Sequence, residues 1–336
     1  MAEVQDIVRE RAPPLENADW PTFGWVEDMR PALGAALSAK RPVALATLYQ
    51  VLGSAPRGPG AQMLFDGDRA FGYFSGGCVE ADVARHAADV IADGMPRLLH
   101  YGVGSPWVDI ELACGGAIHI FVEKITADDL AARALIQEGG ARRPALWVSD
   151  GRRTRVEAAD ADAPLFSFRQ QPLTIRRRYD PPIRVIVSGG DPTALAIAKL
   201  AIDAQFETFI VRASGPSEPP PVEGATYLRA RPREALKEIG CDAWTAFVGA
   251  AHDPELDVPA CAAALAAGAS YIGLVGAGSR APERQQAMLA AGAPEASLTR
   301  LHAPAGMTTL GKAPWRIAIG VIAEIAKATT PHQAPQ

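Results

Sequence analysis

Ile183-Arg184-Val185-Ile186-Val187-Ser188-Gly189-Gly190-Asp191-Pro192-Thr193-Ala194 carries a strand, a glycine turn and a helix start in one short run. The apolar, β-branched segment Ile183 to Val187 reads as a buried strand. Asp191 suits an N-cap and Pro192 the first helical position, so a helix is expected from Asp191 to Ala204. The same alternation continues downstream. Strands are expected at Glu207–Val211, Trp244–Gly249 and Tyr271–Leu274, and helices at Glu255–Ala267, Pro282–Ala291 and Ala313–Ala328. Strands that alternate with helices imply a parallel sheet covered on both faces.

The glycine turn is a poor dinucleotide fingerprint. Asp191 stands where the second glycine would let the backbone approach a pyrophosphate, and Arg212 follows the next strand in place of a ribose-binding carboxylate. Three other segments should lie at the carboxyl ends of strands, where open α/β sheets bind ligands. In Gly276-Ala277-Gly278-Ser279-Arg280, the arginine and free amides before a helix make a phosphate seat. His252-Asp253 reads either as a ligand contact or as a helix cap before Pro254. His302 to Gly306 reads as core or turn packing.

Upstream, the pattern is mixed. A loose arm is expected over 1–20, then a helix from Phe23 to Lys40 interrupted by Pro31, and a buried strand from Val43 to Val51. Gln62–Phe65 and Ala70–Phe74 flank Asp66-Gly67-Asp68 as a hairpin. Phe74-Ser75-Gly76-Gly77-Cys78-Val79-Glu80 then opens a helix whose apolar face is Val79, Val83, Ala87, Val90 and Ile91. Cys78 falls in its first turn, where unpaired amides and the macrodipole would ease loss of the thiol proton; equally, a small residue suits a tight turn. Further strands are expected at Leu98–Tyr101 and Val108–Leu112. Cys114 sits at the lip of a Gly115-Gly116 turn before the alternating strand Ile118 to Glu123. A helix at 127–138 and short strands up to Tyr179 complete this half. Arg57, within Gly53 to Gly60, has no evident structural duty and suits an anionic group. His86 reads as a surface helix residue and His119 as a strand residue, with no metal role. The expected fold is therefore α/β: a Rossmann-like parallel-sheet domain at 183–330, preceded by a mixed α/β domain at 21–180.

Composition narrows the function. The 336-residue chain is 48% hydrophobic and 21% charged, with a net charge of -5, which suits a globular protein and not a nucleic-acid binder. Clusters such as Arg176-Arg177-Arg178 are expected to be solvated surface. Cys78, Cys114, Cys241 and Cys261 lie far apart, without zinc spacing or a disulfide framework. The acidic start of the sequence lacks a signal-peptide core, and the uncharged run from Cys261 to Ser279 is broken by glycines. A soluble cytoplasmic protein is expected, with no membrane or nucleic-acid partner.

Gly53-Ser54-Ala55-Pro56-Arg57 with Gly60 and Met63, Ser75-Gly76-Gly77-Cys78-Val79-Glu80, and Cys114-Gly115-Gly116 together resemble the XdhC/CoxI family of molybdoenzyme maturation factors. His252-Asp253, Tyr271-Ile272-Gly273, Gly278-Ser279-Arg280 and Pro304-Ala305-Gly306 extend the resemblance through the second half. It implies a chaperone that binds molybdenum cofactor, a molybdopterin with or without an attached nucleotide. Such a protein holds the cofactor while an oxo ligand is exchanged for sulfur from a cysteine desulfurase. It then passes the cofactor to a xanthine-dehydrogenase-like or CO-dehydrogenase-like apoenzyme. On this resemblance Cys78 and Cys114 carry the chemistry. Gly53, Ser54, Arg57, Gly76, Gly77, Glu80, Gly115, Gly116, His252, Asp253, Gly278, Ser279 and Arg280 would surround the cofactor between the two domains. A second copy of the chain is a further candidate partner. The family's glycine-alanine-glycine-histidine loop is replaced here by Gly189-Gly190-Asp191-Pro192. Two rival readings are a nicotinamide-dependent oxidoreductase and an assembly partner of a molybdoenzyme that never touches the cofactor.

Overall fold

A computed structural model describes residues 20–67, 69–105, 112, 115–160 and 162–330. The chain divides into two compact units between Pro181 and Pro182.

The first unit is built on β1 (Val43–Leu52), which side chains leave alternately on its two faces. Ala44, Ala46 and Leu48 meet Val79, Val83, Ala87 and Val90 of helix α2 (Cys78–Asp93). Val43 and Leu45 instead share a core with Leu33 and Ala36 of α1 (Arg30–Ser38) and with Ala132 and Leu135 of α3 (Leu130–Gly140). Helices thus cover both faces of an antiparallel sheet ordered β3-β2-β1-β5-β4, completed by β2 (Gln62–Asp66), β3 (Arg69–Phe71), β4 (Arg97–Gly102) and β5 (Ala117–Ile125). A second antiparallel sheet, ordered β7-β6-β9-β8, comprises β6 (Ala145–Ser149), β7 (Thr154–Ala158), β8 (Phe166–Arg169) and β9 (Thr174–Tyr179).

Two expectations change here. The helix expected from Phe23 to Lys40 is a short 3-10 turn at Thr22–Trp25 followed by α1, because Pro31 lacks an N–H and is accommodated in a first turn. The strand expected at Val108–Leu112 lies outside the described residues except for Leu112. The neighbours that β5 does show are β1 and β4.

In the second unit, β10 (Arg184–Ser188), β11 (Glu207–Val211), β12 (Thr226–Leu228), β13 (Thr245–Gly249), β14 (Tyr271–Leu274) and β15 (Leu301–His302) form one parallel sheet, ordered β12-β11-β10-β13-β14-β15. Alternation along β10 again assigns the layers. Val185 and Val187 pack with Ile197 of α4 (Pro192–Asp203) and Val321 of α8 (Pro314–Thr329). Ile186 turns to the other face, against Leu236 of α5 (Pro232–Ile239), Cys261 of α6 (Pro254–Ala266) and Met288 of α7 (Ala281–Ala290). The chain reverses its direction of winding between β10 and β13, so a crevice opens beyond the carboxyl ends of these strands. Among the described residues no helix is long and apolar enough to cross a membrane.

Candidate functional site

In the first unit, three glycine-containing segments are held against one another. At the carboxyl end of β1, Leu52 pairs with Ala117 at the start of β5, which sets Gly53-Ser54 beside Gly116. The approach is so close that a Cβ on Gly116 would lie 2.1 Å from the Ser54 carbonyl oxygen. Gly102 also faces this corner, since a Cβ there would lie 2.1 Å from the Gly116 carbonyl oxygen. Only glycine permits this backbone-on-backbone contact. Arg57 joins the third segment: its guanidinium stacks over the Tyr73 ring at 5.0 Å and pairs with Glu27 at 2.7 Å. The expectation that Arg57 lacks a structural duty is therefore overturned. Glu27 and Tyr73 are adjacent in neither sequence nor pattern, so no sequence signal pointed to them. At the other end of this loop, Arg177 Nε donates to the Gly60 carbonyl at 2.8 Å.

The turn before α2 is organised by Glu80. Its Oε1 accepts from the amides of Phe74 (2.8 Å), Ser75 (2.6 Å) and Gly76 (3.0 Å). Its Oε2 accepts from the Gly77 amide at 2.7 Å and the Ser75 hydroxyl at 2.9 Å. Burial alone would raise this carboxyl, but the amides of Ser75, Gly76, Phe74 and Gly77 outweigh it and hold it below its ordinary value. Of the amides expected to stand unpaired at this helix start, that of the N-cap Gly77 is thus occupied by an internal anion, which also gathers the three amides before it. The segment's Glu three residues into the helix was the available signal, because a carboxylate there reaches back to the turn. Cys78 is the first residue of α2, and Cys114 lies outside the described residues.

Other polar residues of this unit prove to be internal. His86 is buried, contrary to expectation, and lies 3.4 Å from Asp82, which also accepts from the buried Tyr101 hydroxyl at 2.8 Å. The Arg176–Arg178 run is solvated only in part: Arg176 keeps a 40% exposed side chain paired with Glu157, Arg177 stacks on Tyr179, and Arg178, contrary to expectation, is buried beside Asp180. A sheet strand sends neighbouring side chains to opposite faces, so Arg177 points away from the face that Arg176 and Arg178 share.

In the second unit, a cavity of about 330 Å³ opens beyond β13 and β14 and is lined in part by His252, Asp253, Asp257, Arg280 and Arg284. This gathers His252, Asp253 and Arg280, which the sequence had singled out. Gly278 and Ser279 form the short turn before α7 and do not line the cavity. Gly278 instead approaches Pro304, where a Cβ would meet the ring at 3.3 Å. Arg280 is exposed at the start of α7, which has no side-chain cap. Asp253 caps α6 by accepting from the Glu255 amide at 2.9 Å. His252, in the left-handed region with φ 59°, lies 3.1 Å from Asp191, whose other oxygen accepts from the Ala194 amide to cap α4.

Asp257 and Arg284 were missed by sequence reading, because a carboxylate and an arginine on helices look like ordinary surface charges. Asp257 is buried, and burial pushes its carboxyl up to about 6, although Ser188 Oγ donates to it at 3.1 Å. His302 is packed as expected: it stacks on Tyr271 at 4.5 Å and lies 3.6 Å from Glu324. Burial raises the Cys241 thiol to about 11 and the Cys261 thiol well above its ordinary value, so both behave as core.

A doubly covered parallel sheet with its winding reversal between β10 and β13, preceded by a glycine-knotted antiparallel unit, defines a two-unit α/β protein with a Rossmann-type second half. Comparison with protein families agrees: the XdhC and CoxI family matches residues 36–102, and the XdhC Rossmann domain matches residues 185–325. The chain belongs to the XdhC and CoxI family. It is 30% identical over 306 residues to the molybdenum cofactor insertion chaperone PaoD of Escherichia coli strain K12, spanning 89% of this chain and 86% of that protein. It is 26% identical over 321 residues to a probable xanthine dehydrogenase subunit of Bacillus subtilis strain 168, spanning 87% of this chain and 95% of that protein. A crystal structure of a xanthine dehydrogenase from Bacillus halodurans shares the fold, with a TM-score of 0.69 at 22% identity over 89% of this chain and 95% of that one.

Proposed function

We propose that this protein is a molybdenum cofactor insertion chaperone. It binds the molybdopterin as cargo, holds it while an oxo ligand is exchanged for sulfur, and delivers it to a molybdoenzyme of the xanthine dehydrogenase or CO dehydrogenase type. Membership of the XdhC and CoxI family, with a relative named as such a chaperone, is the observation that carries the reading. A cysteine desulfurase would supply the sulfur, and Cys78 and Cys114 are the thiols available to receive it or to meet the soft metal.

The local chemistry supports an anionic cargo. Arg280 is exposed at the start of α7, where a phosphate would meet its guanidinium, although the Arg280 and Ala281 amides are already bonded to the Ala277 and Gly278 carbonyls and Pro282 has none to offer. Arg57 is preset on Tyr73, and its partner Glu27 is 71% exposed, so a phosphate could displace that carboxylate at little cost. Glu80 acts differently from the other candidates: it shapes the turn, leaving Gly76 and Gly77 to approach a ligand through backbone and not through open amides.

The test is incubation of the purified protein with molybdenum cofactor, followed by gel filtration and metal analysis. Molybdenum should co-elute with the protein, and Cys78→Ala and Arg280→Ala should each reduce the amount retained. No molybdenum with the unmodified protein would defeat the carrier reading. Client maturation that survives Cys78→Ala and Cys114→Ala together would favour an assembly partner instead.

A further inference from the structure

The cavity beyond β13 and β14 is lined by two helices of unlike chemistry. Asp253 and Asp257 come from the start of α6, and Arg280 and Arg284 from the start of α7. Glu283 also reaches it from α7, but is exposed. One helix therefore brings mainly acceptors and the other mainly donors. Leu274, Val258 and Ala287 add apolar surface between these polar groups. At about 330 Å³ the space is within the size of small-molecule sites.

Arg284 is the group the fold leaves unprovided for. It is half-buried; its Nη1 is shut away from solvent without a hydrogen-bond partner, and its Nη2 has only the Val275 carbonyl at 3.5 Å. Among the described residues it forms no ion pair, although carboxylates line the same cavity. Those of α6 are engaged with donors of their own: Asp253 accepts from the Glu255 amide at 2.9 Å and Asp257 from Ser188 Oγ at 3.1 Å. The end of β14 is cut away to admit the guanidinium. A Cβ on Gly276 would lie 2.4 Å from Arg284 Nη2, and Gly276 has a φ of 141° that disfavours any other residue. A buried guanidinium nitrogen without an acceptor is costly, so an arginine kept in that state is poised for an acceptor that arrives from outside.

We propose that this cavity seats the pterin ring of the cargo by its amino-oxo edge, with the ring carbonyl accepting from Arg284. The ring's amino and N–H groups donate to the carboxylates of α6, and its faces lie against Val258, Leu274 and Ala287. The mixture of groups selects the class. A further anion beside Arg284 would face the buried Asp257, whereas a neutral edge that both donates and accepts satisfies the two helices together. Apolar surface between the polar groups suits a flat ring. The inference rests on the carrier reading and refines it: Arg280, exposed at the start of α7, keeps the phosphate end, and Arg284 reads the ring. Guanine carries the same edge, and the probes below separate the two ring systems.

Calorimetric titration of the full chain with free pterin tests it. Lumazine, guanosine and inorganic phosphate are the comparisons, and urea unfolding checks that each variant is folded. Pterin should bind at least about tenfold more tightly than lumazine, whose oxygen in place of the ring amino group turns an acceptor toward the carboxylates. Arg284→Met should weaken pterin binding by at least about tenfold, and Arg284→Lys, which keeps a donor, should restore part of it. Arg284→Met should also leave the urea midpoint unchanged or raise it, since it removes an unpartnered nitrogen and keeps an apolar stem. Lys199→Gln, which removes an exposed charge paired with Asp203, should leave binding unchanged. Pterin that binds no better than lumazine, or equally well to Arg284→Met, would overturn the seat, as would a loss that Arg284→Lys does not relieve. Guanosine or phosphate bound about tenfold tighter than pterin would overturn the choice of ring. Gel filtration with molybdenum cofactor keeps the two readings apart. Equal molybdenum retention by the parent and Arg284→Met defeats the seat alone, whereas Arg284-dependent pterin binding by a protein that retains no molybdenum defeats the carrier reading alone.

Discussion

Replacing Glu80 tests how the turn before α2 is held. Its carboxylate is 1% exposed and accepts five hydrogen bonds, four from consecutive backbone amides and one from the Ser75 hydroxyl. A hydrogen bond to a charged group is worth about 1.5–3 kcal/mol, so a simple sum would far exceed any single residue's contribution. Water can reach amides at the exposed Gly76 and Gly77 once the side chain is gone. The better guide is the cost of leaving the less accessible Phe74 and Ser75 amides unpaired, about 1–3 kcal/mol each, so Glu80→Ala should cost about 2–6 kcal/mol. Glu80→Gln retains one acceptor but aims an NH2 group at a donor, and should cost about 2–3 kcal/mol. Urea unfolding gives the stability, and hydrogen exchange at Phe74–Gly77 localises the effect to the turn.

The pH dependence follows from the direction of the shift. The folded carboxyl titrates below its ordinary 4.5, so its stabilisation is present above that pH and is lost as pH falls toward the folded value. The Gln variant should lack this acid limb. Unchanged exchange protection at the four amides, with stability within about 0.5 kcal/mol of the parent, would refute the reasoning.

Other consequences can be checked with the same methods. Glu123 is fully buried, receives hydrogen bonds from Trp147 and Ser149, and is pushed up to about 7 by burial. The folded state then holds a proton that the unfolded state releases, so stability should fall as pH rises from about 4.5 to 7. Glu123→Gln should flatten that slope in urea midpoints taken across the interval, and an unaltered slope would count against it. Gly116→Ala forces a Cβ onto the Ser54 carbonyl and should lower the melting temperature by several degrees, with faster tryptic cleavage after Arg57; a shift under about 1 °C would show that the corner is loose. Arg57→Ala removes a pair with a largely exposed partner and should change stability by less than about 1 kcal/mol, so any larger loss of molybdenum retention reports on cargo and not on folding.

The doubly wound second unit was legible because its evidence is local. Apolar runs at Val185–Val187, Ala246–Val248 and Tyr271–Leu274 are strands wherever they pair, and Asp191 with Pro192 starts a helix by its own backbone chemistry. The Glu80 arrangement was partly readable for the same reason, since the carboxylate and its amides are only a few residues apart. The family resemblance rested on short glycine and cysteine motifs, which can be recognised without a fold.

Contacts between distant segments were not legible. Arg57 on Tyr73, Gly116 against Ser54, and Arg177 on Gly60 depend on which strands become neighbours and in what register. Burial also overturned the reading of Arg178 and His86 as surface, because pattern reading treats a charged or polar residue as exposed until a fold assigns its side chain a face. Amino-acid order by itself determined which segments become strands, helices and glycine turns, through dihedral preference and periodicity. Only tertiary packing decided which carboxylates find hydrogen-bond donors inside the fold, as at Glu80 and Asp191, and which arginines, like Arg212 and Arg280, line cavities.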